Sequence, residues 1–201
     1  PSPQALDVAR ENLAKCDNIV FHNASVSDRG LPSNSQDFGY SLGVLHHVPN
    51  TQEGIHECAR LLKPGAPLLL YLYYNFENRP KWFVFCWKIS ELLRRFVYRL
   101  PPKLKALVSE IVAALIYMPL ATASSFFSYF GFDVSSIPLS YYRKYSYYSM
   151  RTDARDRLGT PLEQRFSKQQ ILHMCRSAGL ENIKFSNSAP FWCLSCTKSS
   201  K

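Results

Sequence analysis

The chain has 201 residues, 46% of them apolar and 19% charged, with 24 basic against 15 acidic side chains and a formal charge of +9. Those proportions fit a folded domain of the α/β or α+β size class and exclude a disordered or collagen-like chain. The positive balance points to an acidic partner such as nucleic acid, a phospholipid surface or an anionic substrate, without choosing among them. The six cysteines, at positions 16, 58, 86, 175, 193 and 196, are too few and too scattered for a disulfide scaffold. They are read as reduced, and the chain as cytoplasmic. Residues 1–15 are polar and charged and lack the apolar core of a signal peptide, while Pro1 hints at a truncated or processed start.

In chain order, residues 5–16 carry Leu6, Val8, Ala9, Leu13 and Ala14 at near-helical spacing, and Pro3 sits where a helix start tolerates it. This predicts a short amphipathic helix. Residues 18–23 (NIVFHN) and 36–42 (QDFGYSL) read as strands separated by a polar, Gly- and Pro-containing stretch. Asn50 or Thr51 can cap a helix over residues 52–62, with Ile55, Cys58, Ala59 and Leu62 on one face, before Lys63-Pro64-Gly65 forces a turn. Residues 67–74 (PLLLYLYY) form the continuous apolar run expected of a parallel strand covered on both faces. Together they make a βαβ unit, whose crossover should be right-handed. From residue 79 to about residue 131 the pattern turns to long helical segments. Ser167 and Gln170 then have the spacing of a capping box ahead of a helix that Gly179 is placed to end. Residues 180–186 and 191–197 read as an antiparallel hairpin with a Pro-containing turn.

Residues 36–49 (QDFGYSLGVLHHVP), followed by residues 59–65 (ARLLKPG), resemble the central motifs of class I S-adenosylmethionine-dependent methyltransferases. In that family an aspartate leads strand four, the next loop ends in Leu-His-His-Val, and Leu-Lys-Pro-Gly precedes strand five. The resemblance implies a Rossmann-like α/β sheet in partial form, strands three to seven, built from residues 1–78 and 161–201. Residues 79–160 would be a helical cap inserted on the substrate side. The family's Gly-rich turn after strand one has no counterpart, since the chain contains no Gly-x-Gly. The segment carrying strands one and two is therefore expected to be absent. Strand four would then keep an open edge bearing Phe38, Tyr40 and Leu42. Either residues 18–23 would move across to cover it, or a second chain would, giving a homodimer.

The same resemblance implies S-adenosyl-L-methionine as cofactor and methyl transfer to a small or lipid-like acceptor as activity. The alternative is a non-catalytic methyltransferase-like fragment that binds only a partner or a membrane surface. Ser25 and Val26 fall where the family contacts adenine, and the plain alternative is an ordinary turn served by Asp28. Leu42 and Gly43 align with the loop beneath the cofactor. His47 is the better placed of the two histidines to accept a proton, although packing against the cofactor loop explains it equally well. Tyr73, Tyr74 and Asn75 end the next strand, and side-chain alternation lets at most one of the two tyrosines point into the crevice. Tyr74 is assigned a catalytic role with His47, and Asn75, Tyr142 and Arg143 a substrate-binding one.

Residues 79–105 hold eight basic residues against Glu91 alone, interleaved with Trp82, Phe85, Trp87 and Phe96. That composition suits peripheral contact with an anionic membrane, or else a solvated cap helix with its aromatic face buried. No basic recognition motif accompanies it, so no nucleic-acid partner is expected. Residues 111–132 carry no charge over 22 positions, but Pro119 and several Ser and Thr dilute them, so they are expected to form a buried cap walling an apolar pocket rather than a membrane span. Residues 141–145 and 150–166 read as polar-aromatic loops in which Asp153, Asp156, Thr160 and Glu163 face a substrate or, the commoner explanation, the acids pair with Arg151, Arg155, Arg157 and Arg165. Cys193 and Cys196 lie three apart on a strand, hence on opposite faces, and no metal site is expected.

Overall fold

The computed structural model describes residues 2–28, 30–188 and 191–200. They form two compact units, Pro1–Tyr74 with Gln164–Lys201, and Asn75–Glu163. Residues 75–78 and 161–163, expected with the sheet, thus belong to the helical unit.

In the first unit, α1 (Pro3–Asn12) starts where Pro3 needs no amide bond and the Ser2 hydroxyl accepts from the Ala5 amide, and none of its residues is buried. The strand expected over residues 18–23 is not formed. Val20 is 78% exposed, and among the described residues this run has no neighbouring strand to satisfy its amides. It therefore does not cover the edge of β1 (Gly39–Leu42) either.

The described strands form a sheet in the order β1, β2 (Pro67–Tyr71), β4 (Cys193–Lys198), β3 (Leu180–Phe185). β1 and β2 are parallel, with Gly39 opposite Leu68 and Leu42 opposite Tyr71, and the other two pairings are antiparallel. This is the four, five, seven, six part of the strand order three, two, one, four, five, seven, six that the resemblance implies. β2 is covered on one face only: Leu68, Leu70 and Leu72 are buried, whereas Leu69, Tyr71 and Tyr73 are half-buried.

Between β1 and β2 runs α2 (Thr51–Leu61), capped by the Asn50 side chain on the Glu53 amide, with Ile55 and Ala59 in the core. The two resembling motifs meet physically. Lys63 Nζ lies 2.7 Å from the Asp37 carboxylate, and the Lys63 amide donates to the Gln36 carbonyl. Gly65 turns the chain at φ +80°, and Lys198 Nζ donates to the Leu62 carbonyl and to Asn34 Oδ1, tying β4 to the end of α2. α7 (Lys168–Ser177) begins with the expected capping box of Ser167 and Gln170, and Gly179 follows it at φ +74°. Gln52 on α2 bonds the Met174 carbonyl and the Ser177 hydroxyl on α7. Cys196 is buried and Cys193 half-buried, as alternation on β4 requires. The Pro-containing hairpin turn, at Ala189 and Pro190, lies outside the described residues.

The second unit contains α3 (Lys81–Val97), α4 (Pro102–Val112), α5 (Met118–Tyr129) and α6 (Tyr147–Gly159). A widened turn, Ala113–Tyr117, joins α4 to α5 and lets Pro119 sit in a continuous helical run without its ring meeting the carbonyl of Leu115. Two expectations fail here. The loops expected over residues 141–145 and 150–166 are largely helical: a tight turn, Ser140–Lys144, leads to α6, whose Ser146 cap and inward Met150, Ala154 and Leu158 supply a cap and a stripe. Residues 111–132 are not a buried wall either, since only 22% of the most apolar window of Pro102–Tyr129 is buried. The aromatics of α3 divide: Phe83 and Trp87 pack on buried Phe76, whereas Phe85 is 64% and Phe96 62% exposed.

Candidate functional site

In an open parallel sheet the carboxyl ends of the strands present the ligand-facing loops. Here β1 ends at Leu42, and Gly43 follows at φ +72°, its amide donating to the Tyr71 carbonyl at 3.1 Å. Only glycine takes this conformation without strain, and a Cβ built there would meet nothing nearer than the Tyr71 ring at 3.9 Å. Leu42 is exposed, and Val44 leads into a tight turn, Leu45–His47.

The two histidines take opposite roles. His46 is fully buried, stacked on Tyr73 with ring centroids 3.7 Å apart, and neither ring nitrogen has a hydrogen-bond partner. Burial, followed by the neighbouring His47 and Arg165, drives its pKa down to about 3, so it is neutral at ordinary pH. His46 is thus the packed member of the pair. His47 is half-buried, 4.2 Å from His46 between ring centroids and 5.7 Å from Tyr73.

Tyr73, rather than the Tyr74 expected, is brought to the histidines. Tyr74 packs instead against Phe191 and Trp192, at 5.5 and 6.2 Å, on the core side of the sheet. Sequence reading also missed residues 164–166. The Gln164 amide donates to the His46 carbonyl, its side chain to the Val48 carbonyl at 2.6 Å, and the Arg165 guanidinium lies 4.9 Å above the Tyr73 ring. No motif marks these residues, because their position depends on how the chain re-enters the first unit.

Ser25 and Val26 line a cavity of about 180 Å³ together with Val48, Pro49, Asn50, Glu53 and Gly54. Gly54 lets α2 pack on Leu45, since a Cβ on it would stand 2.9 Å from Leu45 Cδ2, and Val26 Cγ1 would lie 3.6 Å from it. The Ser25 amide donates to the Asp28 carboxylate at 2.6 Å, and the Asp28 amide returns to the Ser25 carbonyl. Asp28 does serve the turn. Asn75, Tyr142 and Arg143 lie in the second unit and have local partners there. The Asn75 side chain accepts from the Glu77 amide, and Arg143 donates to the Ser140 carbonyl. Tyr142 packs on Tyr117 at 5.3 Å, and both hydroxyls bond Asp153, so burial followed by that carboxylate raises both phenols well above their ordinary pKa. Asp153 is thus held by tyrosines, not by the arginines expected.

Residues 1–70 match the model of a methyltransferase domain family. The chain is 28% identical over 117 residues to demethylmenaquinone methyltransferase of Tropheryma whipplei, a match that covers 58% of this chain and 45% of that protein. It is 37% identical over 54 residues to 27-O-demethylrifamycin SV methyltransferase of Amycolatopsis mediterranei, covering 27% of this chain and 20% of that one. The chain therefore spans less than half the length of these curated relatives. Among solved structures, an O-methyltransferase family protein from Burkholderia thailandensis superposes on 98% of the chain, and on 42% of its own, with a TM-score of 0.51 at 15% identity, which shows a shared fold. Residues 1–70 thus match a methyltransferase domain, and the described sheet shares the fold of that O-methyltransferase family protein, in the order expected for strands four to seven of a Rossmann-like methyltransferase sheet.

Proposed function

We propose that the chain takes part in transferring a methyl group from S-adenosylmethionine to a nucleophilic oxygen, nitrogen or carbon of a small or lipid-like acceptor. The observation that carries this reading is the loop after β1. Its glycine is left-handed, a side chain there would touch the Tyr71 ring, and His47 follows four residues on at the ligand-facing end of a parallel strand. Both curated relatives are named for demethylated small molecules, which supports a small-molecule acceptor.

The residues fit one flank of the cofactor. Leu42 and Gly43 would lie along it, and Ser25 and Val26 would border its base. The cavity at Ser25, about 180 Å³, is smaller than the roughly 300–1,000 Å³ of sites that enclose a small molecule. The Ser25 amide is already committed to Asp28. Among the described residues no Gly-rich turn supplies the other flank.

Bound there, the sulfonium would supply an electrophilic methyl group whose leaving group is a neutral thioether. The chain's own part is to orient and to move a proton. His47 is the acceptor of that proton, and His46, neutral and stacked on Tyr73, fixes the loop that carries it. The free cysteines among the described residues support a cytoplasmic location. The shortage of cofactor contacts favours a second reading, a methyltransferase-like chain that only binds a partner or membrane.

Two measurements separate the readings. Calorimetric titration of the 201-residue chain with S-adenosylmethionine should give weak binding, and sub-micromolar affinity would overturn the one-flank geometry. Transfer of a radiolabelled methyl group to a demethylated quinol, lost in His47→Ala with an unchanged circular dichroism spectrum, would establish the activity. Transfer unaffected by His47→Ala would remove His47 from the mechanism, and no transfer to any quinol or phenol would favour the binding-only reading.

A further inference from the structure

A helix on a water-soluble unit buries its apolar stripe and turns its charges outward. In the helical unit Asn75–Glu163, two helical runs leave a large apolar stripe outside. Along α3, Trp82, Phe85, Ile89, Leu92 and Phe96 recur at the three- and four-residue spacing of one face, and each is between 49% and 64% exposed. The opposite face is turned inward and mixes apolar Phe83, Trp87 and Val97 with a charged pair. Arg94 is 4% exposed, bonded to Glu91 at 2.5 Å and to the Thr160 carbonyl, while Arg157 donates to the Ser90 hydroxyl. The α4–α5 run repeats the pattern. Ser109, Ala113, Tyr117, Ala121 and Ser124 are buried, whereas Leu107, Ile111, Leu115, Met118 and Phe126 are between 47% and 71% exposed. Along α4–α5 four of these five inward side chains are small and the outward ones large and apolar, the arrangement helices adopt when lipid, not water, surrounds them. Apolar surface on this scale marks an interaction site.

We propose that this unit docks on an anionic lipid bilayer through the outward faces of α3 and α4–α5. Charge selects the bilayer over another occupant. Residues 79–105 carry eight basic side chains and one acid, and exposed Lys88, Arg95, Arg99 and Lys103, with half-buried Lys105, have stems long enough to lie along the apolar face while their charges reach phosphate. The helices lie on the surface and do not cross it. By length and composition the 28 residues Pro102–Tyr129 would suffice for a span. However, the inward face of that run is bonded to polar α6: Tyr117 donates to Asp153, and Glu110 stands 3.8 Å from Arg151 and 3.6 Å from Arg155. Drawing the run through the hydrocarbon would take those charges with it. The inference does not depend on methyl transfer, because binding to vesicles needs no cofactor.

Flotation of the 201-residue chain with phosphatidylcholine vesicles, with and without phosphatidylglycerol, tests it. Binding should need the anionic lipid and weaken as salt rises. Phe85→Ser with Phe96→Ser should lower partition roughly tenfold, and Lys103→Glu with Lys105→Glu should do the same only at low salt. Tyr40→Ser, an exposed aromatic of the first unit, serves as the control and should change nothing. Trp82 fluorescence should shift to the blue on vesicles and be quenched by lipids brominated near the headgroup. The proposal is overturned by equal binding of the Phe85/Phe96 variant, by salt-insensitive binding to neutral vesicles, or by resistance to alkaline carbonate extraction, which would indicate a span. It is also overturned if the chain ignores vesicles and light scattering shows that these same substitutions abolish self-association, because the occupant is then a second copy.

Discussion

The sheet unit and the helical unit use the same kinds of side chain in opposite senses. Around β2 the large aliphatic residues Leu68, Leu70, Ile55 and Ile171 are at most 2% exposed, whereas the helical unit buries serines and a salt-bridged arginine beside Met150, Leu158 and Val97 and leaves Phe85, Phe96 and Phe126 outside. The contrast shows that an amphipathic period identifies two faces of a helix but does not say which one is inside. That depends on the medium the face meets. A residue's worth to stability should therefore be ordinary in the first unit and nearly absent for the most apolar residues of the second.

The largest expected effect tests this directly. Leu70→Ala, at a fully buried position between β1 and β4, should cost about 3–4 kcal/mol in urea denaturation followed by circular dichroism. Phe85→Ala removes a larger side chain but should change stability by no more than about 0.5 kcal/mol in water. Comparable losses would mean that Phe85 is covered in solution and that the contrast between the units is wrong.

Next in size is the buried pair of α3. Burial works to raise the Glu91 carboxyl, yet the hydrogen bonds and charge of Arg94, joined by Arg95, bring it below its ordinary pKa. Arg94→Ala would leave that carboxylate without its main partner and should cost about 3 kcal/mol. The double change Glu91→Leu with Arg94→Met should recover most of the loss, since a well-packed apolar pair replaces a desolvated ionic one. If the double variant is no better than Arg94→Ala, the ion pair is held by more than its desolvation balance.

What the sequence made legible follows the same division. The two linked motifs, the capping box at Ser167 and the turn at Gly65 are local chemistry, and they place α2, α7 and four strands in their order. Residues 18–23 had strand composition but lacked a partner, which a linear reading does not see. Helix α6 was missed because its inward stripe is only Met150, Ala154 and Leu158 among many charges. At the site, the positions of Gly43 and His47 were legible, whereas the choice between Tyr73 and Tyr74 was misread. The parity was present: Leu68, Leu70 and Leu72 are buried, so Tyr74 continues the core face and Tyr73 the other. Three consecutive leucines hid which parity was which. Arg165 could not have been found, since only the folded return of the chain sets it above Tyr73.

His46 gives a smaller, pH-dependent effect that sharpens the comparison, being a titratable group buried in the sheet unit without an ionic partner. Its folded pKa of about 3 lies below the ordinary histidine value of 6.5, so below that value the unfolded chain binds a proton that the folded chain does not. Stability from this group is therefore complete above pH 6.5 and declines as pH falls toward 3, by at most about 1.4 kcal/mol per unit. Urea midpoints measured from neutral to mildly acid pH should show that slope, and His46→Phe should reduce it. An unchanged slope in the variant would assign acid sensitivity to the carboxylates instead.

The smallest stability effect is expected at the outer edge of β1, where the sheet unit resembles the helical one in leaving apolar residues exposed. Phe38 is 54%, Tyr40 69% and Leu42 47% exposed, and among the described residues no strand pairs on that side. An unpaired edge with apolar side chains is a template for another strand, and a lysine there discourages pairing at little cost to the fold. The homodimer inferred from the sequence would form at this edge, so light scattering of the wild-type chain should show association that grows with concentration. Tyr40→Lys should abolish it while leaving the urea midpoint within about 0.5 kcal/mol of wild type. Vesicle binding should survive the same substitution, because the lipid-facing residues lie on α3 to α5 and not on β1. A wild-type chain that stays monomeric at every concentration would remove the dimer, and a Tyr40→Lys variant that still associates but fails to do so after Phe85→Ser would move the contact to the helical unit.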